Sequence, residues 1–120
     1  MKENIFNDWL DQILKIENPS AEIQAFYFGI FETEDGYVTY LVGSNEFDED
    51  DEDWACNSDF EPNDKYLILG QNGVDWELIL FEFKKYIEDY MQSPNFKNSF
   101  LDKAKAIAMG FDSGELLRIK

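Results

Sequence analysis

Residues 23–33 read Ile-Gln-Ala-Phe-Tyr-Phe-Gly-Ile-Phe-Glu-Thr. A strand sends alternate side chains to opposite faces. Phe26, Phe28 and Ile30 then point one way, while Ile23, Ala25, Tyr27 and Phe31 point the other. A strand that is apolar on both sides needs cover on both sides. The segment is therefore expected at the centre of a sheet, with an apolar layer above it and another below. Gly29, in its middle, marks a bulge or the close approach of another element.

The rest of the chain is placed around that strand. Glu34-Asp35-Gly36 carries the Asp-Gly hairpin signal, so Tyr37–Gly43 should return as an antiparallel partner. Tyr66–Leu69 reads as a short third strand, closed by the turn Gln71-Asn72-Gly73. Residues 3–17 show one helical stripe, Phe6, Trp9, Leu10, Ile13 and Leu14, ended by Asn18-Pro19-Ser20. A longer helix is expected over 74–92, with Trp76, Ile79, Leu80, Phe83, Ile87 and Tyr90 in period. Leu78 and Phe81 widen its apolar face, which predicts deep burial, and the stripes of Trp9 and Trp76 are expected in the core. Ser93-Pro94 offers an N-cap and a first-turn proline for a third helix over 94–108. Its inner side would hold Phe100, Leu101, Ala104, Ile107 and Ala108, and Gly110 would cap it. Asp112-Ser113-Gly114 then turns the chain into a last strand, 115–119. The order α-β-β-β-α-α-β predicts an α+β fold, an antiparallel sheet with helices mainly on one face. At 120 residues the whole chain, 1–120, is expected to be one domain.

Charge is the second constraint. The formal net charge is −16, and residues 45–64 hold ten of the 26 acids and no base. Within this long connection, Glu46 precedes Phe47, and Asp48, Glu49, Asp50, Asp51, Glu52 and Asp53 form an unbroken run. Trp54 follows directly, and Asp59, Phe60 and Glu61 come a few residues later. Phosphates would be repelled, so nucleic acid is not expected as a partner. A basic protein is the natural partner class, because clustered carboxylates speed encounter with a cationic surface. Trp54 and Phe60 would supply aromatic anchors of the kind that dominate interfaces. The interleaved Phe47, Trp54 and Phe60 also predict that part of the connection docks on the fold. The competing account is a solvated connection in a structural or regulatory domain.

Other chemistries find little support. There is no histidine and one cysteine, Cys56. That removes histidine-based nucleophilic arrangements and leaves no plausible zinc set. A calcium loop starting at Asp48 fails at its sixth position, Asp53 instead of Gly, and at its twelfth, Asp59 instead of Glu. Only weak cation association is left for it. Glu32 and Glu34, like Asp59 and Glu61, are spaced to share a strand face, but no cleft or metal motif accompanies them. Gly70-Gln71-Asn72-Gly73 lacks the lysine and glycine spacing of a phosphate-binding loop. No catalytic residue, metal or cofactor is expected. No apolar run is long enough to span a membrane. The first ten residues lack the apolar core of a leader, and the lone cysteine suits a reducing cytoplasm.

Three stretches resemble known proteins. Asp53-Trp54-Ala55-Cys56 leads to Phe60-Glu61-Pro62, Trp76 opens a long helix, and Ala108-Met109-Gly110-Phe111-Asp112-Ser113-Gly114-Glu115-Leu116 closes the pattern. Over roughly residues 50–120 this resembles small bacterial immunity proteins of polymorphic or contact-dependent toxin systems. The resemblance implies a cytoplasmic, non-enzymatic inhibitor that binds one toxin domain, with a cationic nuclease as the natural target class. It carries over no catalytic residues.

Overall fold

A computed structural model describes residues 3–112 and 114–120. The fold is α+β. Helix α1 spans Glu3–Ile16, and the hairpin strands β1 and β2 span Ala25–Thr33 and Gly36–Ser44. A short 3₁₀ helix, Glu52–Cys56, interrupts the acidic connection. Strand β3 covers Tyr66–Gln71, α2 Trp76–Tyr90, α3 Phe100–Lys103, β4 Ala106–Phe111 and β5 Leu117–Arg118. The five strands form one sheet in the order β3-β2-β1-β4-β5. Strand β1 thus lies at the centre, where its two apolar faces place it.

The hairpin register pairs Thr33 with Gly36 and Ala25 with Ser44. On one face Phe26, Phe28 and Ile30 meet α1 through Phe6, Trp9, Leu10 and Ile13, and α2 through Ile79, Phe83 and Ile87. All of these are buried. Phe6 stands edge-on to both Phe83 and Tyr90, with ring centroids 5.3 and 6.1 Å apart. Each such side chain contributes roughly 1.5–3 kcal/mol on burial. On the other face Ala25, Tyr27, Val42, Ala106 and Ala108 form a second, smaller apolar layer. Among the described residues no α-helix contributes to that layer; the acidic connection does, through its 3₁₀ helix.

Two expectations are corrected. The segment expected as one helix over 94–108 is a series of turns, then α3 as a single turn, then β4. Ser99, not Ser93, caps α3, accepting from the Asp102 N–H. Ile107, Ala108 and Gly110 therefore lie in a strand, and the sheet is mixed, because β4 runs parallel to β1 with Phe26 opposite Ile107 and Phe28 opposite Met109. The apolar run Ala106–Met109 satisfies helix and strand patterns alike. What decides is that β1 has a second edge, whose buried N–H and C=O groups need partners.

The second correction concerns α2. Asp75 caps it, accepting from the Glu77 N–H, and Ile79, Phe83, Ile87 and Tyr90 are buried as expected. Leu78 and Phe81 are not: they are 50% and 69% exposed, and Trp76 is 52% exposed. The helix buries a narrow stripe, and the residues that would widen it face solvent. Trp76 leans edge-on against Phe111 at 5.9 Å. The turn expected at Asp112-Ser113-Gly114 includes Ser113, which lies outside the described residues. Among the described residues no helix is long and apolar enough to cross a membrane.

Candidate functional site

The acidic connection is folded onto the sheet. Trp54, in the 3₁₀ helix, is 5% exposed and belongs to the second apolar layer with Ala25, Ala106 and Ala108. The small alanines leave room for the indole. Phe47 packs edge-on to Trp54 at 5.6 Å, and the Arg118 guanidinium lies over the Phe47 ring at 5.0 Å. Arg118 also reaches the Glu49 carboxylate at 3.3 Å. This stack ties the connection to β5, the last strand of the sheet.

Farther on, the connection leaves this face. Phe60 forms a bridge with Gly43, the Gly43 N–H donating to the Phe60 carbonyl at 2.9 Å. Its ring then joins the helix-side core, edge-on to Phe26 at 6.1 Å and to Phe100 at 6.0 Å. The connection therefore wraps the end of the hairpin, with Trp54 holding one face and Phe60 the other.

The carboxylates divide into two kinds. Some shape the connection itself. Asp48 accepts from the Asp50 N–H at 2.9 Å, and Asp51 caps the 3₁₀ helix by accepting from the Asp53 N–H at 3.0 Å. Glu46 accepts from the Asn57 amide at 2.8 Å, and Asp59 from the Asn45 N–H at 2.8 Å. Glu61 pairs with Lys65, which holds its carboxyl below the usual range, chiefly through that hydrogen bond. The others point outward. Every residue from Asp48 to Asp53 is exposed.

The predicted site residues are thus brought together, with one change of role. Trp54 is buried against the sheet and Phe60 is half-buried in the core. They fasten the connection to the fold, which leaves them little surface for the expected role of anchors. The exposed surface of the connection is largely carboxylate.

A cleft of about 490 Å³ lies beside the 3₁₀ helix, and sequence reasoning missed it. Its floor is the second sheet face, where Tyr27, Phe31, Tyr40 and Tyr66 form a connected set of rings with centroids 6.1–6.2 Å apart. Glu52, Asp53 and Asp112 are among its lining residues. The Tyr40 hydroxyl donates to Asp112, and the Tyr27 hydroxyl donates to the Gly110 carbonyl at 3.0 Å. Burial, then the nearby Asp112 charge, pushes the Tyr27 hydroxyl up from 10 to about 12. Burial and the bond to Asp112 push Tyr40 up as well. The Lys65 ammonium sits over Tyr40 and Tyr66, 5.5 and 5.2 Å from their centroids.

The glycine near the end of β4 also gains a local explanation. A Cβ on Gly110 would meet the Glu115 carbonyl at 2.6 Å, so the chain can double back beside β4 only over a glycine. That reversal sets Asp112 at the cleft. No signal short of the sheet order unites Tyr40, Lys65 and Asp112, which come from three separate parts of the chain.

Among the described residues no group of three or more Cys, Asp or Glu side chains is placed to hold a metal ion. No family model, curated protein or solved structure matches the chain.

Proposed function

We propose that this chain is a non-catalytic protein-binding module whose acidic connection, 46–61, docks on a basic surface of a partner protein, and that the partner is a bacterial toxin domain that it neutralises. The observation that carries the docking is the division of labour in the connection. Its aromatic residues fasten it to the sheet, and six consecutive acids, Asp48–Asp53, face solvent. A carboxylate array on a fastened backbone loses less conformational freedom on binding than a mobile tail does. Its field also steers a cationic partner into encounter. The toxin assignment rests on the resemblance of the 53–62 and 108–116 segments to immunity proteins. Neutralisation would follow if the array covers the cationic groove of a nuclease, where carboxylates take the place of phosphates.

Affinity capture from the source cells, followed by association kinetics, tests this. The captured partner should carry a basic surface, and Asp50→Asn with Asp51→Asn should slow association most at low salt. Asparagine keeps the cap at residue 51, so the fold is retained. An unchanged, salt-independent association rate, or a partner with no basic surface, would overturn the proposal.

A further inference from the structure

The aromatic cleft adjoins the outward crest of the acidic connection, sharing Glu52 and Asp53 with it, and it has its own electrostatics. Three carboxylates line it, from Glu52, Asp53 and Asp112. The one cation among its lining residues, Lys65, is already paired with Glu61. The cleft is therefore lined by excess negative charge over low-dielectric ring walls, an arrangement that concentrates the field. Burial is the main reason the Tyr27 and Tyr40 hydroxyls are raised, and Asp112 adds to it at both and Glu52 at Tyr27.

The lining also selects the kind of cation. The carboxylates are not grouped to hold a metal ion, and they share the lining with aromatic rings. Tyrosine faces attract organic cations, and the protein's own Lys65 uses the outer pair, Tyr40 and Tyr66, in this way. The inner rings, Tyr27 and Phe31, have no cation over them among the described residues. A planar guanidinium fits better here than a second ammonium. It can lie against a ring while its fork of donors reaches lining carboxylates, which come from the 3₁₀ helix and from the residue that follows β4.

We propose that this cleft is a guanidinium-binding site that receives an arginine side chain of the partner. The proposal rests on the docking reading above and names where on the module that partner is read. The crest would draw the partner in, and the cleft would fix its register.

The test uses the free protein and a small probe, N-acetyl-arginine amide, followed by NMR of the tyrosine rings. N-acetyl-lysine amide and N-acetyl-citrulline amide are comparators; citrulline keeps the shape and lacks the charge. The arginine probe should shift Tyr27 and Tyr40 saturably at about millimolar concentration, the weak affinity of a single side chain. The lysine probe should bind more weakly, and citrulline should leave the rings unmoved. Glu52→Gln and Tyr66→Leu, both at exposed positions, should each weaken the arginine probe by about threefold to tenfold. Glu88→Gln, at an exposed position of α2 outside the cleft, should leave it unchanged.

Shifts spread over the crest with the rings unmoved, or equal binding of arginine and citrulline, would overturn the cleft assignment. The docking reading would stand through that failure if Asp50→Asn with Asp51→Asn still slowed the captured partner. It would fall alone if the probe bound and the association rate were unaffected by crest charge.

Discussion

The Tyr40 ring fills the space above Gly29, its direct partner across the β1–β2 ladder. A Cβ built on Gly29 would lie 2.1 Å from Tyr40 Cζ. The glycine expected to mark a close approach does mark one, and the approaching group is the ring that floors the cleft. Gly29→Ala must push this ring off its place. It should destabilise the fold by about 1–3 kcal/mol, as overpacking does, read as a lower denaturation midpoint with unchanged slope. In a Tyr40→Ala background the same substitution should cost clearly less, because the clash has gone. Equal costs in both backgrounds would rule out this contact.

Trp54 and Phe81 are both aromatic, and their surroundings predict opposite outcomes. Trp54→Ala removes a buried indole and should cost about 3–5 kcal/mol, with faster hydrogen exchange across 47–56. Phe81→Gln, at a residue 69% exposed, should stay within about 0.5 kcal/mol of the parent. A large loss at Phe81 would mean that α2 buries a different stripe.

Alkaline pH should weaken the fold through its tyrosines. Burial raises Tyr27 from 10 to about 12 in the folded state, and it raises Tyr40 and Tyr90, each also bonded to an aspartate. Above pH 10 the unfolded chain releases these protons while the folded chain holds them. The unfolded state then binds fewer protons, so stability must fall as pH rises. The Tyr27 contribution is complete below about pH 10 and is lost by about pH 12, while those of Tyr40 and Tyr90 decline to higher pH. Denaturation midpoints against pH, beside tyrosinate absorbance, read this directly. A flat midpoint with all tyrosines ionising together near 10 would contradict it.

The Arg118–Glu49 contact is exposed at both ends, and such pairs contribute about 0–1 kcal/mol. Arg118→Ala also removes the guanidinium from the Phe47 ring. Global stability should change by under about 1 kcal/mol, while amide exchange in 47–56 rises. Restoring the charge with lysine should recover less than the parent, because the planar stacking is lost. No change in loop exchange would show that Trp54 holds the connection without this latch.

Much of the fold was legible where a local pattern has one solution. The stripe Phe6–Trp9–Leu10–Ile13 admits only a helix with that face inward. Asp35-Gly36 between two apolar runs admits only a tight hairpin, and the doubly apolar 23–33 could only be central. The segment 106–111 was not legible, since Ile107 and Ala108 satisfy a helical face extended from Phe100 and Leu101. Its fate is decided by the vacant edge of a strand some 80 residues earlier in the chain. Leu78 and Phe81 misled for a related reason: hydrophobicity near a stripe does not reveal how wide a surface the neighbours offer. The acid run announced itself, and so did the docking of its aromatic residues. The cleft did not, because Tyr40, Lys65 and Asp112 become neighbours only after the sheet has assembled.

The parallel pairing of β1 with β4 has a consequence for how the chain comes into being. It joins residues 25–30 to residues 106–111. Until the latter have left the ribosome, β1 is an open apolar edge of the partial sheet β3-β2-β1, a form prone to pair with other strands. Closing so long a loop is also slow. During that interval the ten acids of 45–64 are already in place, next to the unsatisfied strand. Beyond any role at a partner's surface, their mutual repulsion would keep nascent chains apart while the sheet waits for its fourth strand.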